Sequence, residues 1–354
     1  MPYLLPNVDV LPGKLMSEPV QVLITIPFPD PLIASLREIS PRLQITVLKA
    51  SKTEDVPSDV WRSVEILYTN RVIPTVEQAS RLRWIQFHWA GVEHVIDEPI
   101  LRKPDLVATT LSGAAAPQMA EYILTMLLAM GRRLPDLFAN QKRAEWPRDR
   151  WDRFAPIELR ASTVGIVGYG SIGRQVARLL QPFGTHVLAT KRDARHPEDY
   201  DFIPEGTGDP SGAFVHRLYP AEALRSMLKE CDFVIITVPK TPATQNLISS
   251  DELEVLKPSA VLIDVSRGGI VDHDALIQVL RDKKIGGAAL DVFPEEPLPP
   301  ASPLWKFPNV IITPHISGNT LFYDERAGQV FSANLQRYLT GQPLLNRIDV
   351  ERGY

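Results

Sequence analysis

The chain has 354 residues, of which 44% are hydrophobic and 23% charged, a composition typical of an ordered globular protein with room for two domains. Its formal net charge of −4 does not favour binding to nucleic acid or to an anionic membrane, and its single cysteine, Cys231, excludes a disulfide framework within the chain. No signal peptide and no apolar run of ~20 residues is evident, so we expect a cytoplasmic protein in which Cys231 is a packing residue.

The first region predicts one doubly wound domain. Residues Met1 to Ser17 are interrupted by prolines, which is typical of a surface arm. After them, apolar runs alternate with helical patterns, which favours a parallel sheet covered on both faces. The predicted elements are strands at Val20–Ile26, Leu43–Leu48, Val64–Tyr68, Arg83–His88 and Leu106–Thr109, and a helix at Pro31–Ile39.

A long helix beginning near Pro117 comes next. Its apolar residues recur at helical spacing on more than one side, so we expect it to be buried between domains or subunits. The following stretch, from Asn140 to Trp151, is polar and contains two tryptophans. Together these segments predict a two-fold homodimer.

From Thr163 a second alternating series predicts a dinucleotide-binding domain. Its predicted strands are Val164–Val167, His186–Ala189, Phe233–Val238, Val261–Val265, Gly287–Val292 and Val310–Thr313. Its predicted helices lie near Ile172–Phe183, Ala221–Leu228, Ser250–Leu256 and Asp274–Arg281. The connection from His196 to Tyr219 is long and rich in glycine and proline, and the sequence assigns it no role.

The tail, Phe322–Leu339, is amphipathic and is expected to return to the first domain. The predicted fold class is therefore α/β, with two Rossmann- or flavodoxin-like doubly wound domains. We predict a discontinuous substrate-binding domain at 1–112 and 318–354, and an inserted dinucleotide-binding domain at 113–317.

The run Gly168-Tyr169-Gly170-Ser171-Ile172-Gly173 matches G-x-G-x-x-G between a predicted strand and a predicted helix. In such a turn Gly168 permits the tight bend, Gly170 lets the backbone approach a pyrophosphate, and Gly173 lets the helix pack on the strand. The helix N-terminus at Ser171 and Ile172 then faces the phosphates. This context favours dinucleotide binding over a purely structural turn.

The end of the second strand of this domain bears on the choice of cofactor. An NAD enzyme usually has an acid here that binds the ribose hydroxyls, whereas this chain has Lys191 and Arg192. Two cations suit a 2′-phosphate, so we predict NADP. NAD is the alternative, with Asp193 as its partner.

Three ionisable residues follow successive strands of the same predicted sheet: Arg267, Glu296 and His315. Because ligands bind beyond the carboxyl ends of such strands, we expect the three to converge on one crevice. Reduction of a 2-oxo acid needs a proton donor, which His315 can be. Glu296 can fix and stabilise the charged ring, and Arg267 can bind a carboxylate and polarise a carbonyl. Glu295 is the neighbour that could be mistaken for Glu296.

Four segments carry a resemblance to a known family: Gly168–Gly173, Ser266-Arg267-Gly268-Gly269, Leu290-Asp291-Val292-Phe293 through Glu296-Pro297-Leu298, and Thr313-Pro314-His315. In order and spacing they resemble the D-isomer-specific 2-hydroxyacid dehydrogenases. Trp89-Ala90-Gly91-Val92-Glu93 is similar to that family's substrate loop, and Ala116-Pro117 through Ala120-Glu121 to its interdomain helix.

The resemblance implies a catalytic triad of Arg267, Glu296 and His315 that acts on a small 2-oxo or 2-hydroxy acid, with no metal. It implies that Asp291 meets the nicotinamide amide, that backbone near Ala90 and Gly91 holds the substrate carboxylate, and that the dimer is built on the cofactor domain. The predicted cofactor contacts are completed by Val238, Pro239, Thr244, Ser266 and Ser317.

Two departures from the family pattern concern specificity. Lys191-Arg192 replaces the usual acid, as in the glyoxylate/hydroxypyruvate reductase branch, and Trp89 is bulky where many members are small. The alternative interpretation is a non-catalytic protein of this fold that senses nicotinamide state, as the corepressor relatives do. The sequence does not name the physiological acid.

Overall fold

The computed structural model describes residues 18–354, so the surface arm predicted for residues 1–17 lies outside the described residues. The chain divides into two compact units. The first consists of the described part of Met1–Ala114 together with Leu321–Tyr354, and the second is Ala115–Thr320. One unit is therefore discontinuous in sequence and the other is inserted into it.

Strands and helices alternate along the described chain. The strands are β1 (Val20–Ile24), β2 (Leu43–Val47), β3 (Ile66–Thr69), β4 (Trp84–Phe87), β5 (Val107–Thr109), β6 (Thr163–Val167), β7 (His186–Thr190), β8 (Arg217–Tyr219), β9 (Phe233–Ile236), β10 (Val261–Asp264), β11 (Gly287–Leu290) and β12 (Val310–Ile312). The α-helices are α1 (Asp30–Glu38), α2 (Ser58–Ser63), α3 (Ala116–Gly131), α4 (Leu134–Lys142), α5 (Arg150–Arg153), α6 (Ser171–Leu180), α7 (Leu224–Leu228), α8 (Ser250–Glu254), α9 (His273–Arg281) and α10 (Tyr323–Leu339).

The first unit contains a five-stranded parallel sheet in the order β2-β1-β3-β4-β5. Every residue of β3 and β4 is buried, as expected for parallel strands covered on both faces. Helix α10 returns to this unit and packs on α1, where a Cβ on Gly328 would collide with Leu32. The strand order of this five-stranded sheet is that of flavodoxin-like doubly wound folds.

The second unit contains a seven-stranded parallel sheet in the order β12-β11-β10-β9-β6-β7-β8. The first six strands in chain order, β6 to β11, have the Rossmann arrangement 3-2-1-4-5-6, and β12 extends the edge. The direction of winding reverses between β6 and β9, which pair in parallel. Ligands of such sheets bind at this reversal, beyond the carboxyl ends of the strands.

The predicted fold class of two doubly wound α/β domains is confirmed, but the six strands predicted for the second domain omitted β8. This strand has only three residues, Arg217-Leu218-Tyr219, and lies at the sheet edge, so it shows no apolar run. Helices α2, α4 and α5 were not predicted either. Helices α2 and α5 have only six and four residues, and the nine residues of α4 bury no apolar face, since Asn140 is its only buried residue. Between residues 18 and 354, no helix combines the length and the hydrophobicity needed to cross a membrane.

Candidate active site

The glycine-rich turn between β6 and α6 has three glycines in constrained places. Gly168 has a φ of 103°, and a Cβ there would lie 2.8 Å from Cγ1 of Val238. A Cβ on Gly173 would lie 2.6 Å from the carbonyl oxygen of Gly168, so only glycine lets the helix pack this closely. At Gly170, by contrast, no heavy atom of the described chain lies within 4 Å of the Cβ position. A ligand can therefore approach the backbone at Gly170.

Helix α6 begins directly after Gly170, which as a glycine provides no side-chain cap. The backbone N–H groups of this turn, which includes Ser171 and Ile172, and the positive end of the helix dipole lie beside the open space at Gly170. This arrangement fits the pyrophosphate of a dinucleotide.

The side chain of Lys191, the first residue after β7, is fixed by the chain that follows it. Its ammonium donates to the carbonyl oxygens of His196 and, at 3.0 Å, Glu198. Burial lowers the pKa of Lys191, and so does nearby Arg174. The neighbouring Arg192 is exposed.

Asp193, the acid on which NAD binding would depend, is engaged locally. Its carboxylate accepts a hydrogen bond of 2.7 Å from Nδ1 of His196 and another from the backbone N–H of Arg195 at 3.2 Å. The bond from His196 is the main cause that lowers the pKa of Asp193. The hydrogen bonds of the Asp193 carboxylate are therefore made to residues of its own turn.

The remaining predicted cofactor contacts lie at the carboxyl ends of neighbouring strands. Val238 packs against the glycine turn, and the hydroxyl of Thr244 donates to the carbonyl oxygen of Pro239 at 2.7 Å, which closes the loop after β9. The Ser266 hydroxyl donates to Asp264, and the backbone N–H of Ser317 donates to Asp291. These two serines are buried and support the loops that carry the triad candidates.

His315 and Glu296 form a hydrogen-bonded pair. Nδ1 of His315 lies 2.8 Å from Oε2 of Glu296, and Oε1 of the same carboxylate accepts the backbone N–H of Phe293 at 2.9 Å. The side chains of His315 and Glu296 are 45% and 36% exposed. Because Nδ1 faces Glu296, Nε2 is the nitrogen that can exchange a proton with a substrate. Glu296, and not Glu295, is therefore the partner of the imidazole.

The backbone of His315 has a φ of 54°, a left-handed conformation that is unfavourable for a residue other than glycine. Asp291, which is fully buried, holds this turn in place. Its Oδ1 accepts the Thr313 hydroxyl at 2.6 Å and the backbone N–H of Ile316 at 2.9 Å, and its Oδ2 accepts the N–H of Ser317 at 2.8 Å. The predicted contact of Asp291 with a nicotinamide amide stays a prediction.

Helix α3 supports the same turn through residues that sequence reasoning missed. The Tyr122 hydroxyl lies 2.6 Å from Oγ1 of Thr313, and the Gln118 amide donates to the carbonyl oxygen of Gly318 at 3.1 Å. Since Thr313 gives its own proton to Asp291, Tyr122 donates to Thr313. Burial raises the pKa of Tyr122 to about 12, so it remains a donor. The signal available in the sequence was Tyr122 itself, a side chain with a polar hydroxyl in a mostly apolar helix.

Arg267 is half-buried in the loop after β10, and its Nη1 donates to the carbonyl oxygen of Ser266 at 2.9 Å. At the next residue, Gly268, a Cβ would overlap the carbonyl group of Phe293. The loops after β10 and β11 are therefore in direct backbone contact. This packing brings the loop of Arg267 beside the loop that carries Glu296.

Asp264 ends β10 and is fully buried beside this loop. Its Oδ1 accepts the backbone N–H and the hydroxyl of Ser266, but its Oδ2 has no hydrogen-bond partner among the described residues. Burial raises the pKa of Asp264 to about 7, although the bonds from Ser266 act in the opposite direction. The carboxyl is thus partly protonated near neutral pH, which no local sequence pattern indicates.

We expect Asp264→Asn to stabilise the fold at pH 8. Because the pKa of Asp264 is higher in the folded state than the usual ~3.9 of the unfolded chain, its contribution to stability is present at low pH and is lost as pH rises through about 7. At pH 8 the variant should gain ~1–3 kcal/mol in urea unfolding, and the gain should shrink toward pH 4. An equal difference at pH 5 and pH 8 would contradict the burial of an ionising carboxyl.

In the first unit, the predicted substrate loop follows β4. The ring of Trp89 is 44% exposed, and its centroid lies 4.7 Å from that of His88 and 5.1 Å from that of Tyr323. The Tyr323 hydroxyl donates to the carbonyl oxygen of His88 at 2.9 Å, which ties the start of α10 to this loop. The Trp89 ring therefore has a fixed place next to the backbone of Ala90 and Gly91.

His88 and Cys231 are not candidates for proton transfer or nucleophilic attack. Burial lowers the pKa of His88 to about 4, and its Nδ1 bonds the Tyr68 hydroxyl at 2.8 Å. Burial raises the pKa of Cys231 to about 12, and its thiol donates to the carbonyl oxygen of Met227 at 3.1 Å, in agreement with a packing role. Within residues 18–354, no cluster of three or more His, Cys, Asp or Glu side chains could hold a metal ion.

Comparison with known proteins agrees with this geometry. A family model described as D-isomer specific 2-hydroxyacid dehydrogenase, NAD binding domain, matches residues 124–317. A glyoxylate reductase of Thermofilum pendens is 30% identical over 336 residues, which cover 92% of this chain and 93% of that relative. A D-3-phosphoglycerate dehydrogenase of Methanocaldococcus jannaschii is 29% identical over 332 residues, or 94% of this chain. The chain spans 60% of the length of that second relative.

A solved structure is similar over nearly the whole chain. It is that of a D-isomer specific 2-hydroxyacid dehydrogenase from Xanthobacter autotrophicus Py2 in complex with NADPH and MES. The TM-score is 0.77 at 26% sequence identity, and the match covers 96% of this chain and 100% of the other.

Proposed function

Since the chain belongs to the D-isomer-specific 2-hydroxyacid dehydrogenase family, we propose that it is an NAD(P)-dependent oxidoreductase that interconverts a small 2-oxo acid and its D-2-hydroxy acid. The observation that carries this proposal is the His315–Glu296 pair, fixed by Asp291 in the same unit as the glycine turn. The nicotinamide cofactor, when bound, supplies the hydride.

His315 acts as the general acid in reduction. Its Nε2 delivers a proton to the oxygen of the 2-oxo group, so that no free alkoxide has to form. Glu296 holds Nδ1 at 2.8 Å, which fixes the orientation of the ring and leaves Nε2 for the substrate. In the reverse direction neutral His315 takes the proton from the hydroxyl.

Arg267 binds the substrate. Its planar guanidinium can hold a carboxylate through two hydrogen bonds and polarise the neighbouring carbonyl. The backbone of Ala90 and Gly91 is the second anchor that we assign to the carboxylate.

We infer that the substrate is a short acid of the glyoxylate or hydroxypyruvate type. The support is the glyoxylate reductase that is 30% identical over nearly the whole chain, together with the Lys191-Arg192 pair. The test is turnover of glyoxylate, hydroxypyruvate and phenylpyruvate with NADPH and with NADH, followed by chiral analysis of the products where the product is chiral. Tight cofactor binding without turnover of any acid would instead favour a sensor of nicotinamide state.

We expect NADPH to exceed NADH in kcat/KM by about tenfold or more, the effect of a charge-assisted hydrogen bond to a 2′-phosphate. The double change Lys191→Asp, Arg192→Ser should remove most of this preference, because it replaces both cations. Steady-state kinetics with each cofactor measures the ratio. Equal or better use of NADH by the native protein would contradict the assignment of NADP.

We also propose a homodimer, because three exposed aromatic side chains of the second unit lie within 14 residues of one another in sequence: Phe138 (62% exposed), Trp146 (85%) and Trp151 (77%). Sedimentation velocity at micromolar concentration should give the mass of two chains. The double variant Trp146→Ser, Trp151→Ser should shift the sedimenting mass toward that of one chain. The control Tyr200→Ser, at a residue of another segment that is also 85% exposed, should leave the mass unchanged. A native monomer would overturn the proposal.

A further inference from the structure

The connection between β7 and β8, residues 191–216 and here called the connector, contains no helix or strand. Neighbouring parallel strands are usually joined by a crossover helix. The connector lies instead as irregular chain against α6, the helix of the glycine turn. It therefore needs other contacts to hold its shape.

The principal contact is Arg174 of α6, whose side chain is 1% exposed. Its Nη1 donates to the carbonyl oxygen of Asp209 at 2.5 Å, and its Nη2 donates to that of Pro197 at 2.6 Å. Its Nε lies 3.1 Å from a carboxylate oxygen of Asp199. A buried guanidinium is stable only when its charge and donors are matched. Here both Nη donors and the ion pair are matched by residues of the connector, although Nε makes no hydrogen bond among the described residues.

The same network reaches the glycine turn. The hydroxyl of Tyr169, the residue between Gly168 and Gly170, donates to Oδ2 of Asp209 at 2.5 Å. The guanidinium of Arg174 lies over the Tyr169 ring at 4.7 Å from its centroid. The Asp209 carboxylate also accepts two backbone N–H groups of the connector, at 2.8 and 2.9 Å. Connector, helix and cofactor turn thus share one set of polar contacts.

The connector also fixes the position of the Lys191 ammonium group. The ammonium donates to the carbonyl oxygens of His196 and Glu198, which flank the Pro197 carbonyl held by Arg174. An ammonium has three N–H donors, so one is left for a ligand. It lies just beyond the carboxyl end of β7, where this fold places the adenosine ribose.

We propose that Arg174 is a positioning residue for the adenosine end of the cofactor: it holds the connector so that Lys191 presents its ammonium to a ribose 2′-phosphate. The inference rests on the proposed function, because it needs a dinucleotide at the glycine turn. It assigns to the connector a role in selecting the phosphorylated cofactor.

The test is calorimetric binding of adenosine 2′,5′-bisphosphate and of 5′-AMP to the full chain, which needs no turnover. The native protein should bind the bisphosphate about tenfold more tightly or better. Arg174→Lys keeps a charge near Asp199, but its single nitrogen does not reproduce the two separate Nη donors that meet Pro197 and Asp209. It should lower the ratio of the two affinities by about fivefold or more, with the affinity for 5′-AMP nearly unchanged.

A matched control and a milder variant separate positioning from folding. The control is Arg178→Lys, which changes another arginine of α6. Nη1 of Arg178 donates to the carbonyl oxygen of Gly208 at 3.4 Å, and Gly208 is far along the chain from Lys191. This variant should leave the ratio of the two affinities unchanged. Asp199→Asn removes the ion pair with Arg174 at 3.1 Å and also a negative charge near Lys191. Loss of that charge alone would favour a 2′-phosphate, so a lower ratio in this variant reports a displaced connector, and it can be measured even if Arg174→Lys does not fold.

The outcomes are distinguishable. A native preference that Arg174→Lys and Asp199→Asn both retain would overturn the positioning role and leave the NADP assignment intact. An equal loss of affinity for both probes would mean that Arg174 merely supports the fold, and would overturn it too. If the native protein binds the bisphosphate and 5′-AMP equally well, both the NADP assignment and the inference about Arg174 are wrong.

Discussion

His315→Ala should lower kcat for reduction of a 2-oxo acid by about 10²–10⁴, the usual contribution of a general acid. The imidazole is the group whose Nε2 can deliver the proton, since Nδ1 is engaged by Glu296 at 2.8 Å. Binding of the dinucleotide should be unchanged, because the glycine turn is left intact. Stopped-flow single-turnover rates separate the chemical step from product release. A rate within about twofold of native would show that His315 is not the acid.

Glu296→Gln tests the partner of His315. It keeps the shape of the side chain and removes the carboxylate that accepts from Nδ1 of His315 at 2.8 Å. An amide can present its NH2 group as well as its oxygen, so the orientation and the tautomer of the ring become less strictly fixed. We expect kcat for reduction to fall by about tenfold or more, with binding of the dinucleotide unchanged. A native kcat in steady-state kinetics would show that Glu296 does not position His315.

Gly268→Ala should damage activity and stability together. A methyl group there would overlap the carbonyl of Phe293, so the loops after β10 and β11 would have to separate. Overpacking against backbone costs ~1–3 kcal/mol or more. Displacing Arg267 from Glu296 by about 1 Å should lower kcat/KM by ~10²-fold. Urea unfolding and steady-state kinetics measure the two effects.

Gly170→Ala is the matched control for Gly268→Ala. Nothing in the described chain lies within 4 Å of the added methyl group, so the free energy of unfolding should stay near the native value. The methyl group would project into the space assigned to the pyrophosphate, so the affinity for the dinucleotide should fall. If Gly268→Ala kept native stability and kcat/KM, the close packing of the two loops would be wrong.

The fold could be predicted from the sequence where local patterns specify it. Buried parallel strands appear as continuous apolar runs, and the turn Gly168–Gly173 has its strand before it and its helix after it. Strand β8 was not predicted, because three residues at a sheet edge show no periodic pattern. Polar connections without periodicity, such as the connector, are specified by contacts between distant residues.

The candidate site was partly predictable for a similar reason. Arg267, Glu296 and His315 could be proposed as candidates because each follows the end of a parallel strand. Arg174 could not, because an arginine on an amphipathic helix is normally exposed and its burial depends on carbonyl groups of Pro197 and Asp209. The unpaired Oδ2 of Asp264 likewise depends on packing that no local pattern records.

The most direct measurement of the proposed reaction is transfer of deuterium. The native protein is incubated with NADPH carrying deuterium at both C4 positions of the nicotinamide ring and, in turn, with glyoxylate, hydroxypyruvate and phenylpyruvate, and the products are analysed by mass spectrometry. We expect one deuterium at C2 of the 2-hydroxy acid, the D-isomer where the product is chiral, and a loss of this product in His315→Ala. If NADPH binds but no acid gains deuterium, the chain is not a 2-oxo acid reductase for these substrates, and the proposed activity is wrong.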